Sequence, residues 1–217
     1  QTVSSTNTLA KEMAANGANE GTVIIAREQT SGRGRMGRSF YSPNSTGIYF
    51  SIILRPTLSM EDSLKITTAT AVAVAKAIET IAKLPAKIKW VNDIFIDGKK
   101  VCGILTEASL NFESGGLEYA VVGIGLNIAT EAFPENIKDV AGSIYKEKPG
   151  DRPVTSILLA EILNNIGKMM DTLTDNKYLE EYKSRSFLIG KDILVLRNKE
   201  TIPAKAIDID DKARLVV

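Results

Sequence analysis

Apolar and polar positions change period several times along the chain, and each change predicts an element. Thr6 to Asn16 has the spacing of a short helix: Leu9 and Met13 share a face, Ser5 or Thr6 can cap its start, and Gly17 ends it. Thr22 to Ala26 (TVIIA) is a continuous apolar run, as expected of a buried strand, and Ile48 to Leu54 is another. Glu61 to Lys83 predicts a long helix with Ile66, Ala69, Ala73, Ala77 and Ile81 on one stripe, small enough for close packing on a sheet. Ile88 to Ile96 and Lys99 to Thr106 predict two strands joined at Asp97-Gly98, a tight-hairpin pair. Leu117 to Ile124 predicts a further strand, and Thr155 to Met170 and Lys177 to Ser184 predict helices. After Ile189-Gly190 only short β runs follow (DILVL, TIPAKAIDI, ARLVV), so a small β module is expected there, and it reads as incomplete at Val217. Hairpins beside helices imply an α+β fold with a mixed, mainly antiparallel sheet. The expected division is 1–186 for the main domain and 187–217 for the module.

Composition narrows the chemistry. The 217 residues are 44% hydrophobic, enough for a packed core. Lys and Arg total 27 and Asp and Glu 26, which argues against a broad nucleic-acid surface. There is no histidine, which removes Ser-His-Asp and Cys-His catalysis and histidine-bound zinc. The single cysteine, Cys102, sits in an apolar run and reads as core; one cysteine allows no internal disulfide and fits a reducing, cytoplasmic setting. No stretch has the length of a membrane span. Chemistry must therefore rest on Lys, Arg, Asp, Asn, backbone amides or a hard metal ion, a set suited to phosphoryl or adenylyl transfer.

Two segments carry that set. Residues 31–47 contain four glycines and three arginines. Gly32, Gly34 and Gly37 match G-x-G-x-x-G, and Gly32 to Ser39 approaches a P-loop with Arg38 in the lysine position. Both motifs require a helix to start there, so that its amides meet the phosphates, and Phe40-Tyr41-Ser42-Pro43-Asn44 will not form one. What survives is close backbone approach at the glycines and forked donors on Arg33, Arg35 and Arg38, suited to carboxylate or phosphate. In the second segment, Lys89-Trp90-Val91-Asn92-Asp93, strand alternation would place Lys89, Val91 and Asp93 on one face. A lysine there can neutralise a phosphate while Asp93 helps hold Mg²⁺. The residues alone leave Trp90 open between core packing and the site, and Lys99 reads as a polar hairpin tip.

Taken together and in order, the segments resemble the catalytic domain of the biotin–protein ligase family, biotin–[acetyl-CoA-carboxylase] ligases, in a form without an N-terminal DNA-binding domain. The family pattern is S-T-N, Q-x-x-G-R-G-R-x-G-R, K-W-P-N-D, K-x-x-G-I-L-x-E and G-I-G-x-N. The chain has Ser5-Thr6-Asn7, Gln29 to Arg38, Lys89 to Asp93, Lys100 to Glu107 and Gly123 to Asn127, with Val91 in place of the proline. The resemblance implies a class II synthetase-like domain with an SH3-like C-terminal module. It implies activation of biotin by ATP and Mg²⁺ to biotinyl-AMP, then transfer to a lysine of a biotin carboxyl carrier protein or domain of a biotin-dependent carboxylase. It implies biotin contacts from Ser5, Thr6, Asn7, Gln29, Gly32, Arg33, Gly34, Arg35, Lys89 and Gly103. For the ATP side it implies Arg35, Arg38, Trp90, Asn92, Lys100 and Asn127, with Asp93 toward the metal. Arg33, Lys89 and Lys100 are the expected catalytic cations. No DNA or membrane partner is expected, and a homodimer is possible. Lipoate–protein ligases are related, but their R-R-x-S-G-G-G-x-V-x-H-D segment has no counterpart here, where G-G-G and histidine are both missing. A biotin-binding module without catalysis is disfavoured by the retained Lys89, Asp93 and Lys100.

Overall fold

The computed structural model describes residues 1–111, 115–150, 153–197 and 200–217. Its centre is a six-stranded antiparallel sheet built from β2 (Val23–Ala26), β4 (Gly47–Leu54), β5 (Lys87–Lys89), β6 (Asp93–Ile96), β7 (Lys99–Leu110) and β8 (Leu117–Asn127) in the order β2-β4-β8-β7-β6-β5. Short β1 (Thr2–Val3) and β3 (Glu28–Gln29) pair in parallel beside it. The helices are α1 (Thr6–Ala15), α2 (Ser63–Ala82), α3 (Val154–Asp171) and α4 (Lys177–Arg185). The C-terminal strands are β9 (Asp192–Arg197), β10 (Glu200–Lys205), β11 (Asp208–Ile209) and β12 (Leu215–Val216), which form two antiparallel pairs.

The two faces of the sheet differ because side chains alternate along a strand. Even-numbered residues of the central strands point into the main core: Ile48, Phe50, Ile52 and Leu54 from β4, Cys102 and Ile104 from β7, and Ala120, Val122, Ile124 and Leu126 from β8. There α2 covers them with its alanine-rich stripe, and α3 and α4 add Leu158, Ile162, Ile166, Leu179 and Tyr182. The helix stops where Lys83 turns left-handed, at φ 59°, just before Leu84-Pro85. Among odd-numbered residues, Val101 and Leu117, near irregularities of register, join the main core, while those within 49–53, 103–107 and 119–125 point to the other face. At one end of it, Ala10 and Ala14 of α1 pack on Ile53, Tyr119 and Val121 in a second, smaller core. Further along, the same face carries Ser51 and Gly123 under Thr6 and Asn7 at the start of α1, and beyond them Gly103, Leu105 and Gly125.

The largest departure from the sequence reading is the expected strand from Ile88 to Ile96. It is two antiparallel strands, β5 and β6, with Lys89 directly opposite Asp93 across a tight turn at 90–92. Tertiary bonds hold that turn. Tyr182 Oη donates to Val91 O at 3.1 Å, Asn92 Nδ2 donates to Ile104 O at 2.9 Å, and Ile104 N donates back to Asn92 O at 3.0 Å. Val91 is fully buried. Lys89 and Asp93 do share a face, through cross-strand pairing rather than alternation along one strand. Burial pushes the Tyr182 phenol far up, so it stays a donor at any working pH. Replacing Tyr182 with Phe strands the Val91 carbonyl in the core and is expected to cost about 1–3 kcal/mol. Urea denaturation should show a lower midpoint with unchanged slope.

The Asp97-Gly98 hairpin forms as expected, with φ of 48° and 75°. From the C-terminal segment, Ile209 of β11 and Ala213 are buried in the main core. Lys183 pairs with Asp208 at 3.1 Å, and Lys212 pairs with Glu61.

Candidate active site

Alternation would call for polar side chains on a face turned away from the main core, but three positions of this one are glycines. Gly103 lies opposite Gly125, and Gly123 opposite both Ser51 and Leu105, so the middle of the sheet has a floor poor in side chains. The hollow is a cavity of about 320 Å³, within the size range of small-ligand pockets, roughly 300–1,000 Å³.

Three walls rise from that floor. The first is the start of α1, where Ser5, Thr6 and Asn7 are all buried. Ser5 does not cap the helix through its side chain, in contrast to the expectation. Asn7 lies against Gly123: its Oδ1 is placed 1.9 Å from where a β-carbon would be. Thr6 N donates to Gln29 Oε1 at 2.9 Å, and Gln29 Nε2 donates to Ser42 Oγ at 2.9 Å.

The second wall is the arginine–glycine loop. It closes on itself without a helix: Gly34 N donates to Arg38 O at 2.7 Å and Phe40 N to Gly32 O at 2.9 Å. Only a three-residue 3-10 turn, Arg35–Gly37, forms inside it. Arg33 Nη1 donates to Glu107 Oε2 at 2.9 Å and Arg35 Nη1 to Asn92 Oδ1 at 3.2 Å. Arg38 also lines the cavity. The Phe40 ring fills the space over the floor that β-carbons at Gly103 and Gly125 would take.

The third wall is the turn between β5 and β6 with the start of β7. Lys100 Nζ lies 2.7 Å from Asp93 Oδ1, both half-buried. Lys89 stands exposed at the rim. Trp90 does both things the sequence left open: it lines the cavity and packs on the main core, while its indole Nε1 donates to Ala213 O at 3.0 Å.

Of the residues expected at the site, Ser5, Thr6, Asn7, Gln29, Arg33, Gly34, Arg35, Arg38, Lys89, Trp90, Asn92, Asp93, Lys100 and Gly103 line this one cavity. Gly32 and Asn127 do not. Gly32 is buried behind the loop, where a β-carbon would come within 2.3 Å of Phe40 O. Asn127, at the end of β8, donates to Gly142 O at 3.0 Å. Glu107, Ser51, Phe40, Gly123 and Gly125 join the site without a role that their place in the sequence indicates.

Electrostatically, Arg33, Arg35, Arg38, Lys89 and Lys100 meet a single lining carboxylate, Asp93. That imbalance in a concave site attracts anions. Glu107, just outside, takes bonds from Asn7 Nδ2 at 3.1 Å, Lys11 Nζ at 3.0 Å and Arg33. Burial alone would raise its pKa, but the bonds from Asn7 and Lys11 and the charges of Lys11 and Arg33 outweigh burial and hold it below its usual 4.5. A lowered folded-state pKa means that the stability it adds is complete above the unfolded value and is lost as pH falls through the folded one. The gap in urea midpoint between wild type and Glu107→Leu is thus expected to be level from neutral pH down to roughly pH 5 and to shrink below it.

The described residues contain no group of three or more metal-ligating side chains. Asp93, the one candidate, is already engaged by Lys100. The described residues thus form no metal cage, and a magnesium ion would be held chiefly by nucleotide phosphates and water.

Residues 1–127 match the Biotin/lipoate A/B protein ligase family. The bifunctional ligase/repressor BirA of Bacillus subtilis is 36% identical over 222 residues, covering 99% of this chain and 67% of that protein. The biotin–[acetyl-CoA-carboxylase] ligase of Mycobacterium tuberculosis is 31% identical, covering 97% of this chain and 79% of that one. Among solved structures, the biotin protein ligase of Aquifex aeolicus in complex with biotin and ATP superposes with a TM-score of 0.81 at 28% identity, over 99% of this chain and 88% of that one.

Proposed function

The chain belongs to the biotin/lipoate A/B protein ligase family, and on that premise we propose how its cavity works as the active site of a biotin–protein ligase. It activates biotin with ATP and transfers the biotinyl group to a protein. The biotin carboxylate oxygen attacks the α-phosphorus and pyrophosphate leaves, giving biotinyl-AMP. A lysine amine of the acceptor then attacks the acyl carbon, an amide forms and AMP leaves. The acceptor is proposed to be a biotin carboxyl carrier domain.

The observation that carries this reading is the meeting of five cations in one cavity over a glycine-lined floor. Two anions have to come together there, the biotin carboxylate and the α-phosphate. At about 4 Å their repulsion is roughly 4 kcal/mol at an effective dielectric near 20, and Arg33, Lys89 and Lys100 offset it. The buried polar end at Ser5, Thr6, Asn7 and Gln29 suits the biotin ring, with Gly34, Arg35 and Gly103 beside it. Arg35, Arg38, Trp90 and Asn92 suit the nucleotide. Magnesium, when bound with ATP, neutralises phosphate charge, and Asp93 can add one carboxylate oxygen. Asn127 and Gly32 would act from behind the cavity wall, holding the Gly142 segment and the loop. Closure of the loop would keep water from the mixed anhydride.

The balance of basic and acidic residues supports no broad DNA surface on this chain, and a salt-sensitive shift with operator DNA would overturn that. No helix among the described residues is long and apolar enough to cross a membrane. Pairing of two copies along the β2 edge, where Ile25 is 54% exposed, is a proposed route to a dimer and is tested by sedimentation. The function itself is tested by ATP–pyrophosphate exchange with biotin, with lipoate and with neither. Exchange that depends on biotin alone is expected; exchange with lipoate instead would overturn the substrate.

A further inference from the structure

Beneath the cavity wall runs a relay of polar groups: the buried Thr6, Ser51 and Asn7, and the half-buried Glu107. Asn7 Nδ2 donates to Glu107 Oε2 at 3.1 Å and to Leu105 O at 3.2 Å. Ser51 Oγ lies 2.6 Å from Asn7 Oδ1 and 2.8 Å from Thr6 Oγ1. Ser51 is 0%, Thr6 3% and Asn7 4% exposed, so water is kept from the bonds among these three, while Glu107 is half-buried. An amide alone could face either way, and so could each hydroxyl.

The Leu105 carbonyl and Glu107 together remove that freedom. A backbone carbonyl and an ionised carboxylate only accept, so the Asn7 nitrogen must face them, and both amide hydrogens are then used on Leu105 O and Glu107 Oε2. Asn7 Oδ1 is left facing Ser51. Ser51 has one hydrogen for two neighbours, and Oδ1 cannot donate, so Ser51 gives its hydrogen to Asn7. The Thr6 hydroxyl must then donate to Ser51, and its 3.1 Å approach to Gln29 Oε1 keeps the weaker share of that hydrogen. Gln29 Oε1 is already served by Thr6 N. Every donor along the relay points toward Glu107, and each bond polarises the next. At the cavity end, Asn7 Oδ1 and Thr6 Oγ1 therefore have lone pairs to offer.

We infer that Glu107 is a positioning residue which, together with the Leu105 carbonyl, anchors the direction of this relay, so that Asn7 and Thr6 present acceptors to the N–H groups of the biotin ureido ring. The inference rests on the biotin reading of the cavity. It also gives a physical basis for substrate choice: a dithiolane ring has no N–H, and would leave the remaining lone pairs of these oxygens without a donor.

Calorimetric titration of biotin into the protein without ATP tests it. Glu107→Leu is expected to weaken biotin about tenfold or more, with the affinity for a non-hydrolysable ATP analogue within about twofold of wild type. Ser51→Ala, which breaks the relay one link away and leaves both ion pairs of Glu107 intact, is expected to weaken biotin by a similar factor. In the double variant the two losses should not multiply, because they interrupt one relay. Lys11→Met, which removes an ion pair of Glu107 but not its bond from Asn7, should stay within about twofold. Should Glu107→Leu fail to fold, Ser51→Ala with Lys11→Met carries the test alone. Biotin affinity within about threefold of wild type in Ser51→Ala, or losses that multiply in the double variant, overturns the inference. A wild-type protein that binds no biotin would instead count against the function proposed for the cavity.

Discussion

Lys100→Ala is expected to lower biotin-dependent ATP–pyrophosphate exchange about a hundredfold or more, the range seen when one donor to a developing negative charge is removed. Two effects add in the same direction. A cation is lost from the place where carboxylate and phosphate must approach. Its partner Asp93, held at 2.7 Å in a half-buried position, is left as an unpaired negative charge facing the same anions. The second effect makes a test of the cause possible. Lys100→Ala combined with Asp93→Asn removes the stranded charge and should recover part of the lost rate. Lys99→Ala is the control next door, since Lys99 Nζ donates to Asp139 O at 2.6 Å, away from the cavity, and its loss should change the rate by about threefold at most. Transfer from preformed biotinyl-AMP should fall less than exchange, because the two anions have already been joined. Exchange within about threefold of wild type in Lys100→Ala would sink the role given to Lys100.

Lys100 also illustrates what the sequence could convey. Its motif was readable, and so was the hairpin that carries it, because Asp97-Gly98 is a local signal that depends on two neighbouring residues. The α2 stripe was readable for the same reason: one helix records its own period. The turn at 90–92 was not. Lys89 to Asp93 has the composition of a strand, and what bends it is a tyrosine on α4 and a cross-strand amide bond, partners distant in sequence. Glu107 was visible as a letter in a motif, yet its partners Asn7 and Arg33 lie 100 and 74 residues away. Ser51 carried no signal at all, being one polar residue in an apolar strand. That isolation is the clue in hindsight, since a fully buried serine needs a partner.

The glycines of β7 and β8 are the other part of the site that the motifs named without explaining, and they carry the second large prediction. Gly123→Ala is expected to weaken biotin binding about a hundredfold. An alanine in a strand normally gains slightly over glycine, by about 0.4–1 kcal/mol, because the unfolded chain loses freedom. Gly123 has no left-handed backbone that would forbid a side chain, so the sign depends on space alone. A β-carbon there would stand 1.9 Å from Asn7 Oδ1 and 2.7 Å from its Cγ. Asn7 cannot yield cheaply, for it is fixed by Ser51, Leu105 and Glu107. The added methyl would drive out the amide on which ligand recognition is proposed to rest. At Gly103 the same change meets only the Phe40 ring at 3.2 Å and the Lys100 side chain at 3.4 Å, groups that can swing aside. Gly103→Ala should therefore lose about tenfold less affinity than Gly123→Ala. Titration of biotin into both variants, beside their melting curves, separates the two cases. Equal losses at the two glycines would mean that the floor excludes side chains for the ligand's sake alone, and that Asn7 is not the group that Gly123 makes room for.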